Sequence, residues 1–385
     1  MQNSLKKADL VVVGAGLFGL TVAEQAARQG ARVVILEKRD HLGGNAYSFV
    51  EPTTGIEVHK YGSHLFHTSS KKVWEYVNRF TSFNDYKHQV YTTHKGQVYS
   101  MPINLETMCS FFGLALTPED ASQLISEKSR PFRTESPLNL EEKALSLVGS
   151  ELYEAFIKGY TQKQWETDPI KLPSETISRL PVRFTFNNRY FSDTWEGLPL
   201  QGYSSWFDSM VDHENIEVKL NSDFFQLRKF IPDSTLVVYT GALDRYFNYS
   251  RGELGWRTLD LDLKVKEVGD FQGTAVMNYS DTEVPFTRVH EFRHLHPERK
   301  YQSERTVVMY EFSRVAHSSD EPYYPINTSA DRALVQQYRE LASKEKNIIF
   351  GGRLGSYQYL DMHMAIASAL SVFENEISQQ LRTRG

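Results

Sequence analysis

The stretch from residue 8 to residue 37 constrains this chain more than any other. Ala8-Asp9-Leu10-Val11-Val12-Val13 ends in an apolar run of the kind buried on both faces of a parallel sheet, and Gly14-Ala15-Gly16-Leu17-Phe18-Gly19 comes directly after it. Residues 20–29 carry a helical pattern, Gly30 punctuates it, and residues 31–37 form a second apolar strand ending on Glu37. That is a complete strand–helix–strand unit opening a doubly wound sheet. A G-x-G-x-x-G run alone is a weak signal. Between a strand and a helix, with an acid 18 positions past its last glycine, it points to a dinucleotide. Gly14 permits the tight turn, Gly16 lets backbone approach a pyrophosphate, and Gly19 lets helix and strand pack closely. The helix N-terminus offers unpaired N–H groups to the phosphates, and Glu37 is placed for the adenosine ribose.

The choice between NAD and FAD turns on residues 38–45. Lys38-Arg39-Asp40-His41-Leu42-Gly43-Gly44-Asn45 carries a second glycine pair just past the ribose acid. It resembles the extended FAD fingerprint of amine-oxidase-like flavoproteins. Far down the chain, Gly351-Gly352-Arg353 precedes a helix over residues 362–370 with Asp361 as candidate cap. That segment is similar to the one that closes over the flavin in the same superfamily. FAD is therefore the expected cofactor.

With 385 residues the chain should hold two or three packed domains. A net charge of −5 gives no footprint for nucleic acid or an anionic membrane, so bound anions must be met by arginines inside a pocket. A single cysteine, Cys109, excludes an intramolecular disulfide or a cysteine-built metal site and fits a reducing compartment. The first ten residues lack a signal-peptide pattern, and no apolar run approaches the roughly 20 residues needed to span a bilayer. The expected location is cytoplasmic.

Periodicity is mainly helical from residue 71 to 159, then strand-like and aromatic, as at 183–191, with further strands at 216–220, 236–240, 254–285 and 347–350. The expected fold is α/β: a discontinuous Rossmann-like FAD-binding domain with an inserted helical domain and an antiparallel β-sheet domain. The FAD-binding parts are expected at residues 1–75, 206–249 and 331–385, the helical insertion at 76–170, and the substrate-binding sheet at 171–205 and 250–330.

Five stretches carry a more specific resemblance. They are Lys60-Tyr61-Gly62-Ser63-His64-Leu65-Phe66-His67, Lys158-Gly159-Tyr160-Thr161-Gln162-Lys163-Gln164-Trp165, Arg179-Leu180-Pro181-Val182-Arg183, Glu321-Pro322-Tyr323-Tyr324-Pro325-Ile326-Asn327, and the run from Gly351 through Arg353, Tyr359 and Asp361 to Met362. Together they resemble the bacterial UDP-galactopyranose mutases, and the resemblance covers essentially the whole chain. Ser63 stands where that pattern leads one to expect Pro or Ala, and Leu65 where it leads one to expect Ile.

The resemblance implies interconversion of UDP-galactopyranose and UDP-galactofuranose in a cleft between domains, within cell-wall polysaccharide biosynthesis. It implies FAD active in its reduced form, flavin N5 acting as covalent nucleophile on the anomeric carbon, and no net redox change. NAD(P)H is a possible external reductant. Arg179 and Arg288 would hold the diphosphate, since guanidinium forks match phosphate oxygens and stay charged. Tyr190, Tyr324 and Tyr359 would add phenol donors, with Asn278 near the nucleotide. Phe156, Tyr160 and Trp165 would surround the uracil and Thr161 would also face substrate, whereas Tyr153 and Ile157 read as core. By spacing alone, residues 152–160 form an amphipathic stripe that favours core for all of them. Gly14, Gly16, Phe18, Gly19, Glu37, Lys38, Gly44, Asn45, His64, Leu65, Arg353, Asp361 and Met362 would line the cofactor.

His64 and His67 invite a metal reading, but no third ligand cluster is evident and none is assigned; His67 reads as an interior histidine. Arg183 reads as a support for its loop. The proline-punctuated loop that carries Arg179 is expected to close over the UDP-sugar, and the helix after Asp361 to aim its N-terminus at the flavin. A homodimer is expected. The rival readings are a conventional FAD oxidoreductase of the amine-oxidase superfamily and a noncatalytic nucleotide-sugar binder.

Overall fold

The computed structural model describes residues 2–177, 182–302, 304–317 and 319–383. A five-stranded parallel sheet runs in the order Ile348–Phe350, Leu236–Tyr239, Leu10–Val13, Val33–Leu36, Ile216–Lys219. The three central strands are buried at every position, which is why they read as continuous apolar runs. Leu10 and Val12 join the core on one face, Val11 and Val13 the core on the other. Helix Leu17–Arg28 covers the first face together with Met362–Val372, so the beginning and end of the chain meet there.

A second sheet has seven strands in the order Tyr324–Pro325, Trp256–Lys266, Thr306–Val315, Arg288–Glu291, Val276–Tyr279, Val90–His94, Gln97–Met101. It is antiparallel except where Val276–Tyr279 runs alongside Val90–His94 in parallel. The hairpin Val90–His94/Gln97–Met101 corrects the helical reading of residues 71–159. Its turn residues Lys95 and Gly96 both have positive φ (48° and 75°), the two-residue turn whose twist matches paired strands. The β-branched pair Thr92-Thr93 before it suits a strand.

The strand expected at 183–191 is absent. Arg183 donates to the carbonyls of Asn187 and Arg189, and the Asn187 side chain accepts from the Arg189 N–H at 3.1 Å. The segment therefore folds on itself, as the reading of Arg183 as a loop support implies, and only Arg189 bridges to Gln89.

Helices Leu140–Leu152 and Gly159–Trp165 flank a π-helical turn, Tyr153–Lys158, a wide turn found often at functional sites. The widened turn shifts the stripe's phase. Tyr153, Phe156 and Ile157 are buried, while Tyr160 and Trp165 keep partial exposure. A Cβ on Gly159 would overlap the Ser280 carbonyl, so glycine is what lets this helix sit on the sheet. Lys163 secures the same junction, its ammonium facing the carbonyls of Tyr279, Asp281, Val284 and Phe286 at 2.6–3.0 Å. Lys163→Met leaves those oxygens without their donor and should cost about 1.5–3 kcal/mol in denaturant unfolding. An unchanged unfolding midpoint would show that the junction does not depend on Lys163.

Candidate active site

The glycine-rich turn sits at the carboxyl edge of the parallel sheet. Gly14 has φ +96°, and a Cβ there would overlap the Thr240 hydroxyl; a Cβ on Gly19 would overlap the Gly14 carbonyl. Gly16 has nothing within 4 Å of its Cβ direction. Around it lies a cavity of about 580 Å³, within the size range of ligand sites. Gly44 comes to 3.3 Å of Gly16 Cα by the same measure, and a Cβ on Gly351 would overlap the Phe18 ring. The three glycine-rich stretches read separately along the chain thus converge on one place.

Phe18, Lys38, Asn45, His64, Arg353 and Met362 line this cavity with the glycines and Glu37. Glu37 accepts from Ala15 N–H at 2.7 Å and Arg39 N–H at 2.9 Å, which fixes its carboxylate at the rim. His64 lies with Nδ1 2.8 Å from the Gly62 carbonyl, so Nδ1 carries the proton. Burial lowers its pKa to about 4, leaving a neutral ring with Nε2 as an acceptor. Leu65 and Asp361 depart from expectation. Leu65 packs against the main core rather than lining the cavity. Asp361 occupies the N-cap position of Met362–Val372 without a side-chain cap; it is engaged with Tyr359 instead. The first turn of that helix still faces the cavity through Met362 and Ala365.

Beyond the cavity, sheet register assembles a polar row. Asn278 pairs with Arg288, and Arg288 with Glu311, which sets the three side chains on one face. Arg288 Nε lies 2.9 Å from Glu311 Oε1, an ion-pair contact in which the N–H is not aligned for a hydrogen bond, and 28% of the Arg288 side chain remains exposed, enough for a ligand to reach the guanidinium. Among the described residues its terminal amino groups take no hydrogen-bond partner. Burial pulls its pKa down, but the facing Glu311 carboxylate outweighs this and holds it charged, with the neutral phenols of Tyr160, Tyr324 and Tyr190 nearby. Those three tyrosines lie within electrostatic reach of the guanidinium, and Tyr359 stacks 5.9 Å from Tyr324. Asn278 Oδ1 is buried without a partner among the described residues.

Phe156 is 4% exposed and set edge-on to Tyr99, Phe111 and His94 in an aromatic cluster. Thr161 is buried as well. Trp165 ends its helix, and its carbonyl accepts from Arg257, which also pairs with Glu166 at 3.1 Å. Arg179 and the centre of its loop fall outside the described residues. His67 is stacked on Phe191 and bonded to Asp193 at 2.7 Å. It lies near Asp361 and His363, and we assign no metal to that group. Sequence reasoning missed Glu311 and His290, which gain meaning only through cross-strand register, and Glu321, whose carboxylate binds Lys38 at 2.8 Å and Arg39 at 2.7 Å.

A family model described as UDP-galactopyranose mutase matches residues 155–359, and one for an NAD(P)-binding Rossmann-like domain matches residues 12–80. The probable UDP-galactopyranose mutase of Klebsiella pneumoniae is 44% identical over 96% of this chain and 95% of its own. The chain belongs to the UDP-galactopyranose mutase family. The dTDP-fucopyranose mutase of Escherichia coli is also similar, at 37% identity over 94% of this chain and 96% of its own. In fold, the chain resembles a reduced UDP-galactopyranose mutase crystal structure with TM-score 0.70 and 14% identity, covering 97% of this chain and 96% of that one.

The open space at Gly16 yields a test. Gly16 has ordinary φ, so Gly16→Leu should fold as stably as the apoprotein yet purify without bound dinucleotide, measured by absorbance of the released cofactor. Full cofactor occupancy in that variant would mean that Gly16 does not face it.

Proposed function

We propose that this chain is an isomerase that interconverts UDP-galactopyranose and UDP-galactofuranose on reduced FAD. The observation that carries the reading is the charged, reachable Arg288 ringed by tyrosines beside a dinucleotide cavity, in a chain of this family. The residues around the cavity fit FAD: open space at Gly16, a rim carboxylate at Glu37, and a helix N-terminus at Met362 whose positive end favours an anionic ring. When bound and reduced, the flavin supplies nucleophilic chemistry at N5 toward the anomeric carbon with no net redox change.

The protein's share is placement and charge. Arg288 meets the diphosphate as negative charge grows on the departing oxygen, and the phenols of Tyr160, Tyr190, Tyr324 and Tyr359 donate beside it. Arg179 is assigned the same task on the resemblance alone. Trp165 offers a ring face near the uracil, and Asn278 a polar contact. The neutral His64 presents an acceptor, not a charge, toward the ring. We place the enzyme in the cytoplasm as a homodimer, with NAD(P)H as an external reductant.

Anaerobic assays of oxidised and dithionite-reduced enzyme test the reading. Activity should appear only on reduction, without stoichiometric NAD(P)H use. Equal activity in both states, or one NAD(P)H consumed per product, would return the chain to the oxidoreductase reading. The Escherichia coli relative favours a second substrate, a dTDP-6-deoxyhexose, so both sugars belong in the assay.

Arg288→Ala and Arg179→Ala should each lower kcat/KM about 30- to 1000-fold, or about 2–4 kcal/mol. The KM for UDP-galactose should stay flat between about pH 6 and 9. Burial raises the Glu311 pKa, but Arg288 outweighs it and holds the carboxyl below its usual value, so this stabilising charge is lost only in acid. His64 and His290 are both lowered by burial and stay neutral, and Tyr160 is pushed up to about 12. A bend in KM near neutral pH would show that one of these groups titrates in the free enzyme.

A further inference from the structure

The structure gives the Ser63 hydroxyl a partner. Ser63 Oγ lies 2.8 Å from His290 Nδ1, and His290 Nε2 lies 3.0 Å from Glu311 Oε2. The other carboxylate oxygen, Oε1, faces Arg288 Nε at 2.9 Å and accepts from the Thr287 hydroxyl at 3.3 Å. The alternation of a strand puts Arg288 and His290 on one face, and register sets Glu311 across from Arg288. A Cβ on Gly62 would stand 3.7 Å from Glu311 Oε2 and 3.9 Å from His290 Nε2, so the chain bearing Ser63 passes directly over the pair.

The protons have one consistent arrangement. Glu311 is ionised and only accepts, so His290 Nε2 must donate to it. Burial keeps the imidazole neutral, which leaves Nδ1 bare and makes the Ser63 hydroxyl its donor. The order of groups is that of a hydrolytic triad. However, Ser63 does not line the dinucleotide cavity, and Glu311 is engaged by Arg288.

We propose that Ser63 and His290 are positioning residues for Arg288. By occupying Glu311 Oε2 they confine the carboxylate to Arg288 Nε and leave the two terminal amino groups for the substrate diphosphate. Carboxylate and guanidinium otherwise prefer a bidentate fork, which would draw a terminal amino group away from phosphate. The inference rests on the reading of Arg288 as a diphosphate ligand.

The test is UDP binding to the holoenzyme by calorimetry, with KM and kcat measured in parallel. H290L should weaken UDP and raise KM roughly tenfold or more, with kcat changing less. H290Q, whose amide N–H can reach Glu311 Oε2, should bind UDP within about threefold of the natural protein. S63A should weaken UDP in the natural background and do nothing further in the H290Q background. That last pair decides the matter even where H290L does not fold. A purely structural role would lower the melting temperature of these variants and leave UDP affinity unmoved, which overturns the proposal. R288A separates the two layers. UDP affinity retained in R288A sinks the diphosphate reading itself; affinity lost in R288A but kept in H290L and S63A sinks only the positioning role.

Discussion

The polar row on the seven-stranded sheet depends on Arg288 remaining charged while largely enclosed. Enclosing a guanidinium without a counter-charge costs several kcal/mol, and full pairing would use up the donors a ligand needs. The sheet resolves this by register. Glu311 stands opposite Arg288 and supplies the counter-charge 2.9 Å from Nε, while the neutral phenols of the neighbouring tyrosines face the guanidinium from the other side. The cation is thus held by one edge and presented by the other. Asn278, on the neighbouring strand of the same row, leaves its buried Oδ1 facing the same region without a partner among the described residues, as a group kept for a ligand would.

That sheet must also be fixed relative to the dinucleotide cavity. Glu321 receives Lys38 and Arg39 from the end of the second parallel strand, 283 and 282 positions away in sequence, and Arg39 stacks over Tyr61 at 4.5 Å. Arg353 donates to the carbonyls of Tyr323 at 3.2 Å and Leu360 at 2.9 Å, tying the loops that carry Tyr324 and Tyr359 to the turn after the last parallel strand. Exposed ion pairs are worth little each. These are partly enclosed, share partners and converge on the rim, so they act on geometry more than on stability.

The nucleotide-binding half was legible because local rules write it. A strand, a glycine turn and a helix are contiguous; Gly14 is required by its positive φ and Gly19 by overlap with the Gly14 carbonyl five residues before it, both features of the local backbone. The other half was legible only through resemblance. Nothing local to Arg288 distinguishes it from a surface arginine; its meaning comes from Glu311, 23 residues on and across a strand pair. A helical wheel reads residues 152–160 as one core stripe, and Phe156 does lie buried among rings; the π-turn at Tyr153–Lys158 changes the phase beyond it and leaves Tyr160 partly exposed. The hairpin at 90–101 hid in a stretch of helical periodicity because two short strands weigh little in such a window, although Lys95-Gly96 marked its turn.

Parallel strands explain why the two halves meet where they do. All five run the same way, so every connection from a strand's carboxyl end emerges on one edge of the sheet. The turns after Leu10–Val13, Val33–Leu36, Leu236–Tyr239 and Ile348–Phe350 therefore share a rim, and each contributes to the cavity. A chain that leaves this sheet after its second strand and returns for the third, fourth and fifth must anchor the inserted material at that rim more than once. The seven-stranded sheet is such an insertion, entered and left through segments that line the cavity. The connectivity of the parallel sheet thereby brings the polar row near the cavity, and the contacts of Glu321 and Arg353 at the rim fix where Arg288 stands.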